Sequence, residues 1–157
     1  MPSGEPAATQ AAGEFRGSTR PGADRRSAMM KFLILDDVTT NCAILGRLAR
    51  QAFEAETVRM TNPIDALALC CCERFDALII DYFMPDMNGV EFSRFVRSLD
   101  GYRDIPIIMV TTADEQKIQS DAREVGVTDF MTKPVCMVQF RERLGARLAV
   151  EGARRMH

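Results

Sequence analysis

The chain has 157 residues, of which 46% are hydrophobic and 27% are charged, a composition typical of a soluble globular protein with room for one domain. Its net charge of -2 predicts no basic surface for nucleic acids, so direct nucleic-acid binding is not expected. No apolar stretch approaches the roughly 20 residues that span a bilayer, and the N-terminus lacks the apolar core of a secretory signal, which predicts a cytoplasmic protein without a membrane partner.

Residues 1–29 are rich in Gly, Pro, Ala, Ser and Thr, and they contain a single aromatic residue. Such a segment cannot bury enough apolar surface to offset the entropy lost on ordering, so a disordered N-terminal tail is predicted there. Residues 30–150 are predicted to form the folded domain. A short C-terminal tail is predicted over 151–157.

Five short apolar runs alternate with amphipathic segments from Lys31 onward. The runs are KFLIL, TVRM, ALII, IPIIMV and DFMT, at 31–35, 57–60, 77–80, 105–110 and 129–132. The first, third and fourth are almost continuously apolar, which is typical of parallel strands covered on both faces.

Helix signals lie between these runs. Asn62 and Pro63 combine an N-cap with a proline at the first helical position, and Gly126 lies where helices commonly end in a left-handed residue. Phe140 and Leu144 begin an apolar stripe along the last segment. The alternation predicts an α/β fold, a flavodoxin-like (βα)₅ domain with a doubly wound five-stranded parallel sheet in the order 2-1-3-4-5.

Four of the five strands are followed by polar residues. Asp36 and Asp37 follow the first strand, Asp81 the third, Thr111 the fourth and Lys133 the fifth. In the predicted strand order the acids flank the topological switch point, which is the place where the strand order reverses and where ligands of such sheets bind. Carboxylates at this spacing repel by roughly a few kcal/mol per pair, and their hard oxygen ligands suit Mg²⁺, or Mn²⁺ in vitro. Any one of these acids is also consistent with a helix cap, but the whole set favours a functional site.

These residues belong to four motifs, LDD at 35–37, DYFMPDMNG at 81–89, MVTTAD at 109–114 and TDFMTKP at 128–134. Together they resemble the receiver domain of bacterial two-component response regulators, over about residues 31–148. The resemblance implies that Asp81 accepts a phosphoryl group from a histidine kinase or a histidine phosphotransfer protein. It implies a Mg²⁺ ion bound by Asp37, Asp81 and the backbone carbonyl of Phe83, and by Asp36 through water.

The resemblance also assigns roles to residues after the fourth and fifth strands. Lys133 would pair with one phosphoryl oxygen, Thr111 would hydrogen-bond another, and Pro134 corresponds to a cis-proline that aims the lysine inward. Thr111 and Phe130 would form a switch: the hydroxyl moves toward the phosphate, and the ring fills the vacated space. The face made by the fourth helix, fifth strand and fifth helix would then change for a downstream protein partner. For Phe130, an ordinary core position fits the sequence equally well.

Two residues depart from the usual pattern of the family. Thr112 stands where Ala or Gly is usual, and Phe83 is bulky where many relatives carry a polar side chain that orients hydrolytic water. Both substitutions hinder the approach of water to the phosphoryl group. They predict an unusually long-lived phosphorylated state.

Three functions remain open at this stage. Only a few residues follow Leu148, which favours a single-domain regulator that is not an enzyme beyond its own phosphorylation and dephosphorylation. The stretches SLDGYRDIPIIMVTT and VTDFMTKPV are also similar to receivers fused to HD-GYP cyclic di-GMP phosphodiesterases, so an excised part of such a regulator is an alternative. A haloacid dehalogenase-like Mg²⁺-dependent phosphatase is a second alternative, although its paired acids lie two apart, whereas Asp36 and Asp37 are adjacent.

Overall fold

The computed structural model describes residues 29–112 and 116–156. The predicted N-terminal tail over 1–29 therefore lies outside the described residues, apart from Met29. Strands and helices alternate along the described chain. They are β1 (Lys31–Leu35), α1 (Thr39–Phe53), β2 (Glu56–Met60), α2 (Pro63–Cys72), β3 (Ala77–Asp81), α3 (Gly89–Arg97), β4 (Ile107–Thr111), α4 (Gln116–Glu124), β5 (Asp129–Thr132) and α5 (Met137–Arg155).

The five strands form one parallel sheet in the order β2-β1-β3-β4-β5, as predicted. Leu35 pairs with Ile80, and Thr111 pairs with Thr132. Because parallel strands share a direction, the residues that follow β1, β3, β4 and β5 all lie at one edge of the sheet. This register brings the strand-end residues of four distant segments together.

Both faces of the sheet are covered by helices, which explains why the central strands are apolar along their whole length. Side chains of α2, α3 and α4 pack with Leu33, Ile80 and Met109 on one face. Side chains of α1 and α5 pack on the other face with Phe32 and Val110. Successive residues of a strand therefore point into different cores.

Most predicted element ends agree with the structure. The Asn62 side chain caps α2 by accepting hydrogen bonds from the N–H groups of Ile64 (2.9 Å) and Asp65 (3.2 Å). Gly126 has the predicted left-handed conformation, with φ of 98°. Strand β4 begins at Ile107 instead of residue 105, because Pro106 has no N–H to donate to a ladder.

The last helix is longer than predicted. It continues to Arg155, so residues 151–155 are helical where a tail is predicted. The segment is rich in Ala, Arg and Glu, which are good helix formers, and an ion pair of 3.1 Å joins Arg155 to Glu151 one turn earlier. These local preferences extend α5 past its apolar stripe.

Candidate functional site

Three carboxylates meet where β1 and β3 end. Oxygen atoms of Asp36, Asp37 and Asp81 lie within 4.8 Å of one another. Asp36 and Asp81 are buried, with 0% and 4% of their surfaces exposed, whereas Asp37 is exposed. All three are predicted metal ligands, and the fold brings them together.

Lys133 reaches this cluster from the end of β5. Its Nζ atom lies 2.9 Å from Oδ2 of Asp36 and 3.1 Å from Oδ1 of Asp81. Burial alone would lower the pKa of Lys133, but the hydrogen bonds to both carboxylates raise it. The side chain is therefore a stable ammonium ion that partly neutralises two buried acids.

The two carboxylate oxygens of Asp36 have different partners. Oδ1 accepts hydrogen bonds from the N–H of Val38 (2.9 Å) and from the amide of Asn41 (3.3 Å), whereas Oδ2 accepts the bond from Lys133. Because both oxygens are already engaged, Asp36 is less available to a metal than Asp37 or Asp81. Asn41 was not predicted, since nothing in the local pattern indicates that its amide bonds to an acid that precedes the helix.

The pKa of Asp81 is raised from its usual value to about 6. Burial is the main cause, and the negative charge of Asp36 adds to it, while the hydrogen bond from Lys133 opposes both. Near neutral pH the carboxylate is ionised but poorly solvated. A buried anion of this kind is a better nucleophile or metal ligand than an exposed one.

Gly89, the first residue of α3, makes the closest backbone approach to the site. A Cβ atom built there would lie 2.6 Å from the carbonyl oxygen of Asp81 and 3.1 Å from Cα of Tyr82. The N–H of Gly89 donates to the carbonyl of Tyr82 (2.9 Å), and Asn88 forms a capping box with Glu91. No role was predicted for Gly89, although a glycine directly after an N-cap, where other residues favour the helix more, is an available signal.

The remaining predicted residues surround this cluster. Thr111 is buried and its carbonyl accepts a hydrogen bond of 2.9 Å from the N–H of Lys133. Thr112 is exposed and lines a cavity of about 360 Å³ that also contacts Asn41 and Lys133. The Lys133–Pro134 peptide bond is cis.

Two aromatic side chains flank the site in different environments. Phe83 is 52% exposed, and its ring packs edge to face on Tyr82 with 4.6 Å between centroids. Phe130 is only 8% exposed and belongs to the core between the sheet and α2, α3 and α4. Phe130 thus occupies a core position in this state, and its movement stays a prediction.

The acidic cluster suits a magnesium ion. Its donors are all carboxylate oxygens, and the single ammonium of Lys133 balances only part of their charge. Hard cations such as Mg²⁺ prefer oxygen ligands, and one would balance the negative charge of the acids that Lys133 leaves unpaired. Asp37, which is exposed, leaves the cluster open to solvent on one side.

The strand order and the position of the acids define a doubly wound α/β protein with an acidic cluster at the carboxyl edge of the sheet, where ligands of such folds bind. Residues 32–145 match the family described as the response regulator receiver domain. The chain therefore belongs to this family of two-component signalling domains. Family membership favours the receiver over the haloacid dehalogenase-like phosphatase.

Two curated relatives illustrate the range of proteins that the chain is similar to. It is 37% identical over 115 residues to the cyclic di-GMP phosphodiesterase response regulator RpfG of Xanthomonas campestris, covering 73% of this chain but only 30% of that protein. It is 30% identical over 115 residues to the chemotaxis protein CheY of Pseudomonas aeruginosa, covering 73% of this chain and 93% of that protein. One relative is much longer than the matched region, and the other consists mainly of it.

Solved structures share the fold over the same region. The chemotaxis protein CheY4 of Vibrio cholerae is 30% identical with a TM-score of 0.72, over 76% of this chain and 98% of that one. A response regulator from Chloroflexus aurantiacus is 27% identical with a TM-score of 0.73, over 78% of this chain and 99% of that one. Within the described residues, no helix is both long and apolar enough to cross a membrane.

Proposed function

We propose that Asp81 accepts a phosphoryl group from the phosphohistidine of a histidine kinase or a histidine phosphotransfer protein. The observation that carries the proposal is the contact of 3.1 Å between Asp81 and Lys133 inside a cluster of three acids. It places a buried carboxylate beside a fixed positive charge at an edge of the sheet that solvent can reach. Transfer of a phosphoryl group demands this kind of positioning and charge neutralisation more than acid–base chemistry.

In the proposed transfer, a carboxylate oxygen of Asp81 attacks phosphorus in line with the bond to the histidine nitrogen. The new oxygen–phosphorus bond forms as the nitrogen–phosphorus bond breaks, and the imidazole leaves with the electron pair. Asp81 is ionised for this attack at neutral pH because its pKa is about 6. Lys133, released from Asp81 when the acyl phosphate forms, pairs with a phosphoryl oxygen, and the Thr111 hydroxyl donates to another.

The site would hold Mg²⁺, with Mn²⁺ as a substitute, through Asp37, Asp81 and the backbone carbonyl of Phe83. Asp36 would act through water, which agrees with the engagement of both its oxygens by other donors. When bound, the ion supplies positive charge to the phosphoryl oxygens. The chain's own contribution is to hold the acids close together before the donor arrives.

The output of the proposed reaction is a change in the surface formed by α4, β5 and α5, through Thr111 and Phe130. A downstream protein would bind that surface in one state of the switch. The protein would act in the cytoplasm as a signalling module, without turnover of any other substrate.

The experiment is incubation of the protein with acetyl phosphate and Mg²⁺, followed by intact mass spectrometry. Wild type should gain one phosphoryl group that is lost in alkali, and Asp81→Asn should gain none. Asp86→Asn is the matched control, because Asp86 is exposed and its φ of 70° suits asparagine as well as aspartate. Equal labelling of wild type and Asp81→Asn would refute the assignment.

We also propose that Phe83 and Thr112 slow the loss of the phosphoryl group. Both side chains are exposed: Phe83 packs on Tyr82, the residue after Asp81, and Thr112 lines the 360 Å³ cavity together with Lys133. Phe83→Asn and Thr112→Ala should shorten the half-life of the phosphorylated protein in Mg²⁺ at neutral pH. If neither variant changes the half-life, the two residues have no role in protecting the phosphoryl group.

One alternative output is supported by a specific relative. The similarity to RpfG, at 37% identity, favours a receiver that regulates a cyclic di-GMP phosphodiesterase. The chain spans 30% of that protein's length, so most of that protein lies outside the match. The length of the complete gene distinguishes this alternative from a single-domain regulator.

A further inference from the structure

The carboxyl-terminal end of α4 is fixed to α3 by an arginine. The guanidinium of Arg97 donates two hydrogen bonds, of 3.1 and 2.6 Å, to the carbonyl of Gly126 just after α4, and a third to the carbonyl of Tyr102. A Cβ atom at residue 126 would lie 2.8 Å from Nε of Arg97, so only glycine permits this approach. The last turn of α4 therefore has a defined position relative to the sheet.

A second arginine extends from that last turn to the core. Arg123 of α4 places its guanidinium carbon 5.4 Å from the centroid of the Phe130 ring. Arg123 is exposed, whereas Phe130 is 8% exposed. This geometry is that of a cation–π contact, in which the negative face of the ring attracts the charge.

The position of Phe130 on β5 relates this contact to the phosphorylation site. Phe130 pairs with Met109 of β4, and both side chains lie in the core beneath α2, α3 and α4. Thr111 is two residues beyond Met109, so its side chain points to the same face of the sheet. Lys133 follows three residues after Phe130 and is hydrogen-bonded to the Thr111 carbonyl. The Phe130 ring thus contacts α4 through Arg123, on the face of the sheet that Thr111 shares and two residues before the end of β5.

We infer that Arg123 is a positioning residue that holds the Phe130 ring, and with it the end of β5, in the arrangement of the unphosphorylated protein. The inference rests on the proposed function of Asp81. If phosphorylation moves Phe130 into space left by the Thr111 hydroxyl, the ring leaves Arg123 and the cation–π contact is lost. The contact then opposes phosphorylation, and by linkage its removal favours the phosphorylated state.

The test measures the affinity for beryllofluoride, a phosphoryl analogue, with Mg²⁺ by isothermal titration calorimetry. Arg123→Gln should bind the analogue about two- to fivefold more tightly than wild type, the factor expected for an exposed cation–π contact. Lys117→Gln is the matched control, because it removes a positive charge from the exposed first turn of α4 and should leave the affinity unchanged.

Phe130→Leu completes a double-mutant cycle, since leucine retains an apolar side chain but has no ring. Arg123→Gln should have no further effect in the Phe130→Leu background. Unchanged or weaker binding by Arg123→Gln, or the same gain in both backgrounds, overturns the inference.

A failure of the proposed function gives a different pattern. If wild type does not bind the analogue, or if Asp81→Asn binds it as well, the function assigned to Asp81 fails and this inference with it. If wild type binds and Asp81→Asn does not, while Arg123→Gln equals wild type, only the role of Arg123 is refuted.

Discussion

The two ends of the sheet each place a lysine between two carboxylates, in opposite environments. At the carboxyl edge, Lys133 lies 2.9 Å from Asp36 and 3.1 Å from Asp81, whose side chains are 0% and 6% exposed. These acids are withdrawn from water. Their repulsion is relieved only in part by one ammonium ion.

At the amino edge, Lys31 lies 2.6 Å from Glu73 and 3.7 Å from Glu56, whose side chains are 40% and 57% exposed. Water solvates these groups in the folded and unfolded states alike, so their pairing changes stability little. Burial of charge, in contrast, carries a desolvation cost that pairing only partly offsets. A lysine between two carboxylates thus lowers the stability of the fold at the carboxyl edge and changes it little at the amino edge. The proposed function lies at the carboxyl edge.

The largest expected difference comes from removing the buried lysine. Lys133→Met should lower the free energy of unfolding by about 3 kcal/mol at pH 8, because it leaves Asp36 and Asp81 without a counter-ion. This is the low end of the range for buried pairs, since the Lys133 side chain is 21% exposed. Urea unfolding measures the change, and phosphorylation from acetyl phosphate should be lost as well.

A smaller effect is expected from neutralising Asp81. Its folded pKa of about 6 lies above the usual value of 3.8, so the folded state binds the proton more tightly than the unfolded state does. Stability therefore falls as the pH rises from about 4 to 6, and the cost persists at higher pH. The full shift corresponds to about 3 kcal/mol, but asparagine is buried in its turn and bonds less strongly to Lys133 than the carboxylate does. The free energy of unfolding of Asp81→Asn should therefore exceed that of wild type by about 1–2 kcal/mol at pH 8.

The pH dependence checks the sign of this effect. The advantage of Asp81→Asn should shrink as the pH falls through 6 and be absent below about pH 3, where the carboxyl group is protonated in both the folded and the unfolded state. Asp86→Asn, at an exposed position outside the cluster, should follow the wild-type curve. An advantage that grows on acidification would mean that burial of Asp81 does not destabilise its charged form.

The smallest effect is expected at the amino edge. Lys31→Met should leave the urea midpoint close to that of wild type, because Glu56 and Glu73 stay solvated after their partner is removed. Thermal unfolding alongside Lys133→Met gives the direct comparison. Equal losses from the two lysine variants would show that burial does not distinguish the two edges.

The sequence predicts the fold and the members of the acidic cluster well, for a local reason. Apolar runs that end abruptly at Asp36, Asp81, Thr111 and Lys133 indicate both the strands and the edge where their ends meet. The strand order then follows from the rules for parallel crossovers and from the common order of doubly wound sheets. These features depend on patterns within a few residues of each site.

Features that depend on contacts between distant segments were not predictable in this way. The salt bridges of Lys31 with Glu56 and Glu73 connect β1, β2 and the end of α2. No sequence pattern near any one of these residues indicates the other two. The same holds for Arg123 over Phe130, because the contact depends on the angle of α4 to β5. The length of α5 was missed for another reason, since residues after its apolar stripe are helical by local propensity and not by burial.

The close approach of Gly89 to the Asp81 carbonyl has a consequence for mutational surveys of this gene. In a saturation library selected for signalling, position 89 should tolerate substitution as poorly as position 81, although it contributes no reactive group. Its profile would show loss for every side chain, alanine included, in contrast to Gly152, where a Cβ atom meets nothing within 4 Å. Intolerance at residue 89 would thus reflect the lack of space beside the Asp81 backbone. A survey that takes every intolerant position as catalytic would assign it a chemical role that it does not have.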